Sequence, residues 1–388
     1  MADSPTTSTP VSLEQRLDGA RALRGLILRH RARSDEARPL APPVVEALGR
    51  LGLFRALVPA SAGGEEWAWP TWMRVVEELS SVDGAVGWIA GVGGSVHAIA
   101  SGWVSAAVGR AVFCAEPAGV VAGAAAPMGT ARPADGGYRV SGRWPFGGPS
   151  PQAGWFVAGY AREGEAPRVG PMMLVPATDV EIIDTWSSWG MRGTRRHDFA
   201  VRECFVPTDY TVNAADDAPR HPGPLYRLPV VLTLCSGLGP LALGIARGAM
   251  DGFAELMAAQ VDRFTGTERR ERLTVQARVA KAEAAVRSAR AFLSEMVHEV
   301  WGTVEHGAPL TEQQIALFRL ANTHAVAAGA QAVALVYHAA RTSAVISAHP
   351  LERFYWDIHG VTQHRCAAPE ELSQAGRVLL GVPLGRAR

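Results

Sequence analysis

The decapeptide GYRVSGRWPF at residues 137–146 joins a short β-rich run to a turn that contains proline. Three similar runs follow it, at residues 155–160, 172–175 and 199–202, and clusters of glycine and proline separate them. Short strands between turn residues are typical of a small β unit. The sequence therefore predicts a β-barrel or sandwich domain over residues 119–212.

The patterns on both sides of this β region are helical. Upstream, residues 44–51 place apolar side chains three and four positions apart, and Gly52 marks the end of that helix. Two long alanine-rich stripes downstream indicate helices that pack closely and antiparallel. Their members are Val275, Val279, Ala282, Val286, Ala289, Phe292 and Met296, and then Ile315, Phe318, Ala321, Ala325, Ala328, Ala332 and Leu335.

The order of helices, then strands, then long helices predicts an α+β fold that is mainly α. We expect a disordered leader over residues 1–10 and a helical domain over residues 11–118. The β domain over residues 119–212 follows, and a helical bundle occupies residues 213–388. No period typical of solenoid repeats is present.

Charge and cysteine content exclude several classes of protein. The 388 residues include 38 Lys plus Arg against 37 Asp plus Glu, so no field of one sign attracts nucleic acid or an anionic membrane. Cys114, Cys204, Cys235 and Cys366 lie far apart and form no C-x-x-C pair. We therefore expect neither a disulfide scaffold nor a zinc site, and a reducing cytoplasm fits. Residues 1–15 lack the basic and apolar regions of a secretory signal.

Two uncharged runs, residues 84–109 and 228–246, are long enough to span a bilayer. Glycines interrupt both runs, and the first also contains His97 and several serines. Buried helices inside a large core explain this composition better than a membrane span does. We predict a buried helical hairpin for the first run and the same kind of environment for the second.

Common catalytic and cofactor motifs are missing from the sequence. There is no Walker A loop, no G-x-S-x-G elbow and no H-E-x-x-H, and Gly237, Gly239 and Gly244 do not form a dinucleotide fingerprint. His359 and His364 are five residues apart, which separates them by about 140° on an ideal helix. With no third ligand in view, we expect no metal site.

Five segments in chain order resemble the acyl-CoA dehydrogenase fold in its flavin-dependent monooxygenase branch. Residues 52–64 are similar to the pattern GLFRLLVP…GG, residues 77–88 to VEELARADGSTAW, and residues 141–146 to SGRWPFASG. Residues 190–207 are similar to GMRGTGSHDV…FVP, and residues 350–369 to PLQR…RDVHAAxQH…P. The resemblance covers nearly the whole chain. It implies an N-terminal helical domain, a central β-barrel or sandwich and a C-terminal four-helix bundle.

The branch of the family implies a reaction. The chain is similar to the oxygenase component of group D, two-component monooxygenases. These enzymes take reduced FMN or FAD from a separate reductase and use O2, through a C4a-hydroperoxyflavin, to hydroxylate an aromatic or polycyclic small molecule. Natural-product biosynthesis is one setting for such chemistry. The resemblance further implies a homotetramer, and no NAD(P)H motif is visible in the chain.

The resemblance also implies a flavin site between the β domain and the bundle. Trp144 and Phe146 approach one edge of the ring, and the backbone N–H groups of Gly147 and Gly148 bond its polar edge. Their lack of side chains permits that approach, although an ordinary glycine turn is the alternative. Arg263 holds a flavin phosphate, and a solvated charge is the alternative there.

Histidines near the C-terminus stand where acyl-CoA dehydrogenases need a carboxylate base. An imidazole titrates near neutrality, so it can donate or accept a proton during oxygenation. We predict His364 as the first catalytic candidate, His359 as the second and His97 as the third. The alternative for each C-terminal histidine is a helix histidine paired with Asp357 or Glu370.

An aromatic pocket for the substrate is the remaining prediction, with Trp88, His97 and Trp189 as its candidates. A lone histidine on an apolar helix, or a tryptophan, is more often a core residue. Three positions depart from the family pattern: Gly148 stands where serine is common, Gln152 where histidine is usual, and Trp356 where arginine is usual.

Three other functions stay open at the level of sequence. The same fold supports N-oxygenation of an amine, and a flavin oxidase or dehydrogenase would suit the missing serine at position 148. A flavin-free scaffold or ligand-binding relative is the non-enzymatic alternative. The sequence specifies neither the substrate nor the choice between FMN and FAD.

Overall fold

The computed structural model describes residues 11–37, 39–114, 119–148, 152–214, 216–262, 266–344 and 350–385. A helical region comes first in this part of the chain, as the sequence predicts. Its helices are α1 Leu13–Ala22, α2 Arg24–Ala37, α3 Pro42–Arg50, α4 Trp69–Val82, α5 Gly84–Trp88, α6 Gly94–Gly102 and α7 Ala106–Phe113.

The first uncharged run is helical and largely buried, which confirms its interpretation as core. Asp83 caps α5 because its carboxylate accepts the backbone N–H groups of Ala85 (2.9 Å) and Val86 (3.1 Å). A π-helical turn, Ile89–Gly93, then links α5 to α6. Such turns are rare and often occur at functional sites, and this one faces the cavity described below.

Seven strands form one sheet in the order β5-β6-β2-β1-β3-β4-β7. Strands β1 and β3 pair in parallel, and the other neighbours pair antiparallel. The strands are β1 Val121–Ala134, β2 Gly137–Trp144, β3 Trp155–Arg162, β4 Pro171–Pro176, β5 Glu181–Ile183, β6 Asp198–Pro207 and β7 Thr211–Asn213.

The sheet curls around a core of its own, as expected for a barrel-like domain. Side chains from β1, β2, β3, β4 and β6 make up one apolar cluster, in which Trp144 stacks on Phe199 with ring centroids 5.0 Å apart. The indole N–H of Trp144 donates to the carbonyl of Gly159 at 2.7 Å. The opposite face packs Val157 and Leu174 against the N-terminal helices.

The last region is a helical bundle, in agreement with the two predicted stripes. Close contact within it depends on small residues: a Cβ atom at Gly244 would overlap the backbone of α4, and Gly329 lies against Ala242 of α9. Its helices are α8 Val230–Cys235, α9 Leu238–Ala258, α10 Leu273–Glu305, α11 Glu312–Ala340, α12 Pro350–Thr362 and α13 Pro369–Leu379.

Within the described residues, one segment, Val230–Ala258, has the length and apolar composition to cross a membrane. In its most apolar window, 78% of the residues are buried inside the protein, where α9 packs between α4 and α11. A core helix explains this segment. The architecture as a whole confirms the predicted α+β, mainly α fold.

Candidate active site

A cavity of about 500 Å³ lies where the N-terminal helices, the sheet and the end of α12 meet. Its volume is in the range of small-molecule sites, and its walls are mainly apolar. None of the described side chains around it is acidic. The lining residues are Trp88, Ile89, Val92, Gly93, Val96, Val121, Ala122, Gly123, Ala124, Ala125, Ala126, Pro127, Pro145, Phe146, Gly148, Val169, Thr194, Arg196, Leu234, Gly360, Gln363, His364, Arg365 and Cys366.

Irregular backbone builds the two long walls of the cavity. The π-helical turn supplies Ile89, Val92 and Gly93 on one side. On the other side the pairing of β1 with β3 shifts register between Ala124 and Gly129, and residues 125–127 of this interval line the cavity. A bulge of this kind re-aims a strand next to a site. The result is a slot with small apolar side chains, which suits a flat aromatic ring.

His364 lies in the cavity wall just after α12. Its Nδ1 accepts the backbone N–H of Cys366 at 3.2 Å, which caps the short 3-10 helix Arg365–Ala367. Its ring meets the ring of Trp88 edge to face, with centroids 5.7 Å apart. Because Nδ1 is an acceptor, the neutral imidazole carries its proton on Nε2. The wall therefore presents a ring N–H donor.

His359 does not line this cavity. Its ring packs edge to face on Tyr355, with centroids 4.6 Å apart. His359 lies within α12, whereas His364 lies beyond its end at the start of the 3-10 helix, so the angle expected for two positions of one helix does not apply to this pair. The alternative partner Asp357 is committed elsewhere: its Oδ1 accepts the backbone N–H of Met191 at 2.5 Å, and it pairs with Arg353 at 3.6 Å.

His97 is a core residue rather than a cavity residue, contrary to the predicted substrate contact. Its Nδ1 lies 2.9 Å from the carbonyl of Phe54, and its Nε2 lies 3.1 Å from the carbonyl of Val121. Burial lowers the pKa of His97. Both ring nitrogens face backbone oxygens, so the side chain joins α6 to β1 behind the cavity wall.

The turn after β2 reaches the cavity, but not through every residue predicted to hold the flavin. Phe146 and Gly148 line the cavity, whereas Trp144 is buried in the core of the sheet. The N–H of Gly147 donates to the carbonyl of His197 at 2.8 Å, and the N–H of Gly148 donates to the carbonyl of Phe146 at 3.0 Å. In this conformation both N–H groups therefore have partners within the protein.

The remaining candidates have three different outcomes. Trp88 lines the cavity. Trp189 does not line it: its side chain is 74% exposed, and its ring lies 5.9 Å from that of Trp356. Arg263, the predicted phosphate ligand, lies outside the described residues.

The sequence interpretation missed Arg196, which the structure places in the cavity wall. Its guanidinium lies over the ring of Trp88 at 4.2 Å, that of Trp186 at 4.6 Å and that of Phe146 at 5.7 Å. Its Nε is buried and has no hydrogen-bond partner among the described residues. Burial lowers the pKa of Arg196 to about 10. The available signal was the segment GMRGTRRHDF at residues 190–199, where Arg195 and Arg196 replace the Gly-Ser of the family pattern GMRGTGSHDV.

Arg196 also explains why the usual serine is missing at position 148. A Cβ atom added at Gly148 would overlap Cγ of Arg196 and come within 2.9 Å of the carbonyl oxygen of Thr194. The added Cβ would also lie 2.9 Å from Cα of Arg196, so the backbone of this loop restricts position 148 together with the arginine side chain. The two departures from the family pattern are therefore in direct contact.

Two thiols lie at the end of the cavity beside His364. Cys366 lines the cavity, and its thiol is hydrogen-bonded to that of Cys235 in α8. That hydrogen bond, followed by the neighbouring His364, lowers the pKa of Cys366, whereas the pKa of Cys235 is raised. Both thiols are free.

A buried ion network fixes the loop that carries Arg196. Arg353 of α12 pairs with Asp35, with Asp83 (2.8 Å) and with Asp357 (3.6 Å). Burial opposes ionisation of Asp83, but Arg353 and then Arg31 outweigh it and lower the pKa. Burial raises the pKa of Asp357 to about 6. Because Asp357 accepts the N–H of Met191, the network holds the loop between β5 and β6 against α12.

Comparison with known proteins agrees with this geometry. Residues 20–103 match the family model for the acyl-CoA dehydrogenase N-terminal domain, and residues 236–369 match that for the C-terminal domain. An indole-3-acetate monooxygenase from Pseudomonas putida is 30% identical over 348 residues, which cover 89% of this chain and 89% of that protein. The chain belongs to the flavin-dependent monooxygenases of the acyl-CoA dehydrogenase family.

Further members of the flavin-dependent monooxygenase family support this assignment. The oxygenase subunit HsaA of a flavin-dependent monooxygenase from Rhodococcus jostii (strain RHA1) is 25% identical over 354 residues, 88% of this chain and 92% of that protein. The solved structure of XiaF from Streptomyces sp., in complex with FADH2 and glycerol, matches with a TM-score of 0.87 at 22% identity. That match covers 97% of this chain and 98% of the other and supports the fold. The chain is an enzyme whose cofactor is reduced flavin.

The cavity suits a flavin ring on its own chemistry. The bulged β1 wall and the π-helical turn form a slot between sheet and helices, and its small apolar side chains leave room for a flat tricycle. His364 supplies an N–H donor at the edge of this slot. No group of three or more metal-binding side chains occurs in the described part of the chain.

Proposed function

We propose that His364 is the hydrogen-bond donor to the reacting oxygen in this monooxygenase and that the substrate is an aromatic molecule of about the size of indole. The observation that carries the proposal is the position of His364, whose ring lies in the cavity wall with Nδ1 bonded to the N–H of Cys366. This bond places the ring proton on Nε2 rather than on Nδ1. A carboxylate base of the dehydrogenase type has no counterpart among the described lining residues.

Reduced flavin, when bound, would supply the electrons that activate O2, and O2 would supply the oxygen atom that enters the substrate. The chain itself controls protons and water. The Nε2–H of His364 would donate a hydrogen bond to the reacting oxygen and orient it, while Nδ1 stays fixed by the backbone. Trp88 packs edge to face with that imidazole and offers a flat surface for the substrate ring. The apolar β1 wall excludes water, which protects reactive oxygen species from unproductive decay.

The substrate class follows from the walls and from one relative. The P. putida relative is named for a monooxygenase reaction on indole-3-acetate, a bicyclic aromatic acid. In this chain the aromatic side chains of Trp88 and Phe146 flank the cavity, which favours a planar aromatic ligand of similar size. Hydroxylation of such a ring is the proposed reaction, with biosynthesis of natural products as one setting.

The partners follow from the two-component organisation. We propose that a separate flavin reductase supplies reduced FMN or FAD, because the chain carries no dinucleotide fingerprint. We also propose a homotetramer located in the cytoplasm. The four free cysteines support a reducing compartment.

The test mixes the protein, loaded anaerobically with reduced FMN, with O2 and an arylacetate, and follows absorbance and product. Wild type is expected to show a transient flavin–oxygen adduct and to form hydroxylated product. Immediate oxidised flavin without an adduct would favour an oxidase, and absence of flavin binding would favour a scaffold. An amine substrate oxidised at nitrogen would favour the N-oxygenase.

The variant His364→Gln tests the role of the ring N–H of His364. We expect product formed per flavin oxidised to fall at least tenfold and hydrogen peroxide to rise, because the ring N–H is lost. The matched control is His359→Gln, five residues away and outside the cavity, which should change the yield less than twofold. Equal losses in both variants, or no loss in the first, would contradict the assignment.

A further inference from the structure

Arg196 is the feature of the cavity that the reaction does not yet use. Its guanidinium is enclosed by the rings of Trp88, Trp186 and Phe146, and these rings offer faces but no negative charge. The cation is therefore held in a fixed position beside the cavity. Its Nε has no hydrogen-bond partner among the described residues.

No counter-ion for Arg196 is present in the part of the chain that the structure describes. The described residues provide it with no ion pair, although Arg31 and Arg353 in the same molecule each contact carboxylates. The described residues that line the cavity include a second cation, Arg365, and no Asp or Glu. An uncompensated buried charge costs stability, so its retention is best explained by a ligand that neutralises it.

Arg365 is less suited than Arg196 to bind such a ligand. Its side chain is exposed, so water and salt screen its charge. Arg196 is partly buried and braced on three aromatic rings, which keeps its planar fork in one orientation. A preorganised guanidinium matches the two oxygens of a carboxylate.

The pairing of Arg196 with Gly148 indicates which ligand the cation serves. Both positions depart from the family pattern, and Gly148 leaves the space that the arginine side chain occupies. The flavin is common to the family, whereas substrates differ among its members. We therefore expect a residue that departs from the family pattern, such as Arg196, to contact the substrate rather than the flavin.

We propose that Arg196 binds a carboxylate on the aromatic substrate, so that this enzyme takes aryl acids; this inference rests on the proposed function of the same cavity. The acid group lies at the guanidinium, and the ring extends along Trp88 toward His364, whose ring meets that indole edge to face. Arg196 thereby sets the position of the ring relative to the N–H donor of His364.

The experiment measures binding without turnover. Wild type is titrated calorimetrically with phenylacetate, 2-naphthylacetate and indole-3-acetate, each beside its neutral amide, in the presence and absence of oxidised FMN. For the ring that binds most tightly, the acid is expected to bind at least tenfold more tightly than its own amide. In Arg196→Met this ratio should fall below about twofold, and Arg196→Lys should retain an intermediate ratio because the charge stays while the fork is lost.

The matched control is Arg365→Met, which removes the other cation of the same cavity. It should keep the preference of wild type for the acid. Thermal unfolding establishes that each variant is folded, and the lysine variant keeps the test valid if the methionine variant unfolds. Anaerobic titration with reduced FMN forms a separate arm, in which Arg196→Met should stay within threefold of wild type.

Several results would overturn the proposal. They are an unchanged ratio in Arg196→Met, a ratio that depends on Arg365 instead, and no preference for the acid with any of the three rings. Loss of affinity for reduced FMN with an unchanged acid preference would assign the guanidinium to the flavin instead. Because no assay step needs oxygenation, binding of acids by an inactive protein would refute the proposed reaction and leave this inference standing.

Discussion

Two groups of arginines in this enzyme differ in how their charge is balanced. Arg353 and Arg31 lie in a network with Asp35, Asp83 and Asp357. Arg196, on the loop that this network anchors, contacts aromatic rings and the cavity and has no carboxylate partner among the described residues. The arginines with carboxylate partners hold the backbone in place, whereas the charge of Arg196 stays available to a ligand. The difference separates a structural use of arginine from a binding use.

The largest effect is expected where the balanced group is broken. Arg353→Met leaves the buried carboxylates of Asp83 and Asp357 without their main partner, so the free energy of unfolding should fall by about 3–5 kcal/mol. Urea denaturation measures this change. Arg196→Met is the matched control, because it removes a buried charge that has no ion pair among the described residues. Its stability should stay within about 1 kcal/mol of wild type.

A smaller effect is expected from restoring the serine of the family pattern. Gly148→Ser places a side chain against Cγ of Arg196, and this overpacking should cost about 1–3 kcal/mol. Because Cγ of Arg196 is the nearest atom, Arg196→Ser in the same chain should recover part of that loss, while the backbone contacts at residues 194 and 196 remain. A double-mutant cycle by urea denaturation measures the coupling, and simple additivity of the two changes would contradict it.

Sequence patterns predict the fold because apolar spacing and turn residues act locally. The stripe through Val275 and Val286 is buried in α10, and the run at residues 137–144 forms β2. Of the site residues, His364 and Trp88 reach the cavity wall as predicted, although their roles stay predictions. They lie next to segments whose backbone path follows directly from the helical pattern.

The sequence could not place residues whose environment depends on long-range packing. The sequence predicts that His97 lines the pocket. Its ring nitrogens instead contact the carbonyls of Phe54 and Val121, which lie 43 and 24 residues away in the chain. Trp189 lies in an irregular loop, where no periodicity indicates which way a side chain points. The environment of Arg196 depends on the packing of its loop against Trp88, Trp186 and Gly148, which no local sequence pattern indicates.

The smallest expected effect concerns the proton balance of the ion network. Burial raises the pKa of Asp357 to about 6, above its ordinary value of 3.8. The folded state therefore binds this proton more tightly than the unfolded state does, and stability falls as pH rises from about 4 to 6. One proton can contribute a slope of at most about 1.4 kcal/mol per pH unit. Asp83 acts in the opposite sense, since its pKa is lowered, so its contribution is lost only in more acidic solution.

Asp357→Asn isolates that contribution, because the asparagine oxygen can still accept the N–H of Met191 while the titrating group is gone. Urea denaturation at pH 4, 5, 6 and 7 should give a stability difference between variant and wild type that grows in favour of the variant from pH 4 to 6 and then levels off. A difference that does not depend on pH would mean that Asp357 keeps its ordinary pKa. The attraction of Arg353 would then cancel the effect of burial on the pKa of Asp357. An increase in the opposite direction would show that the carboxylate, rather than its hydrogen bond to Met191, stabilises the loop that carries Arg196.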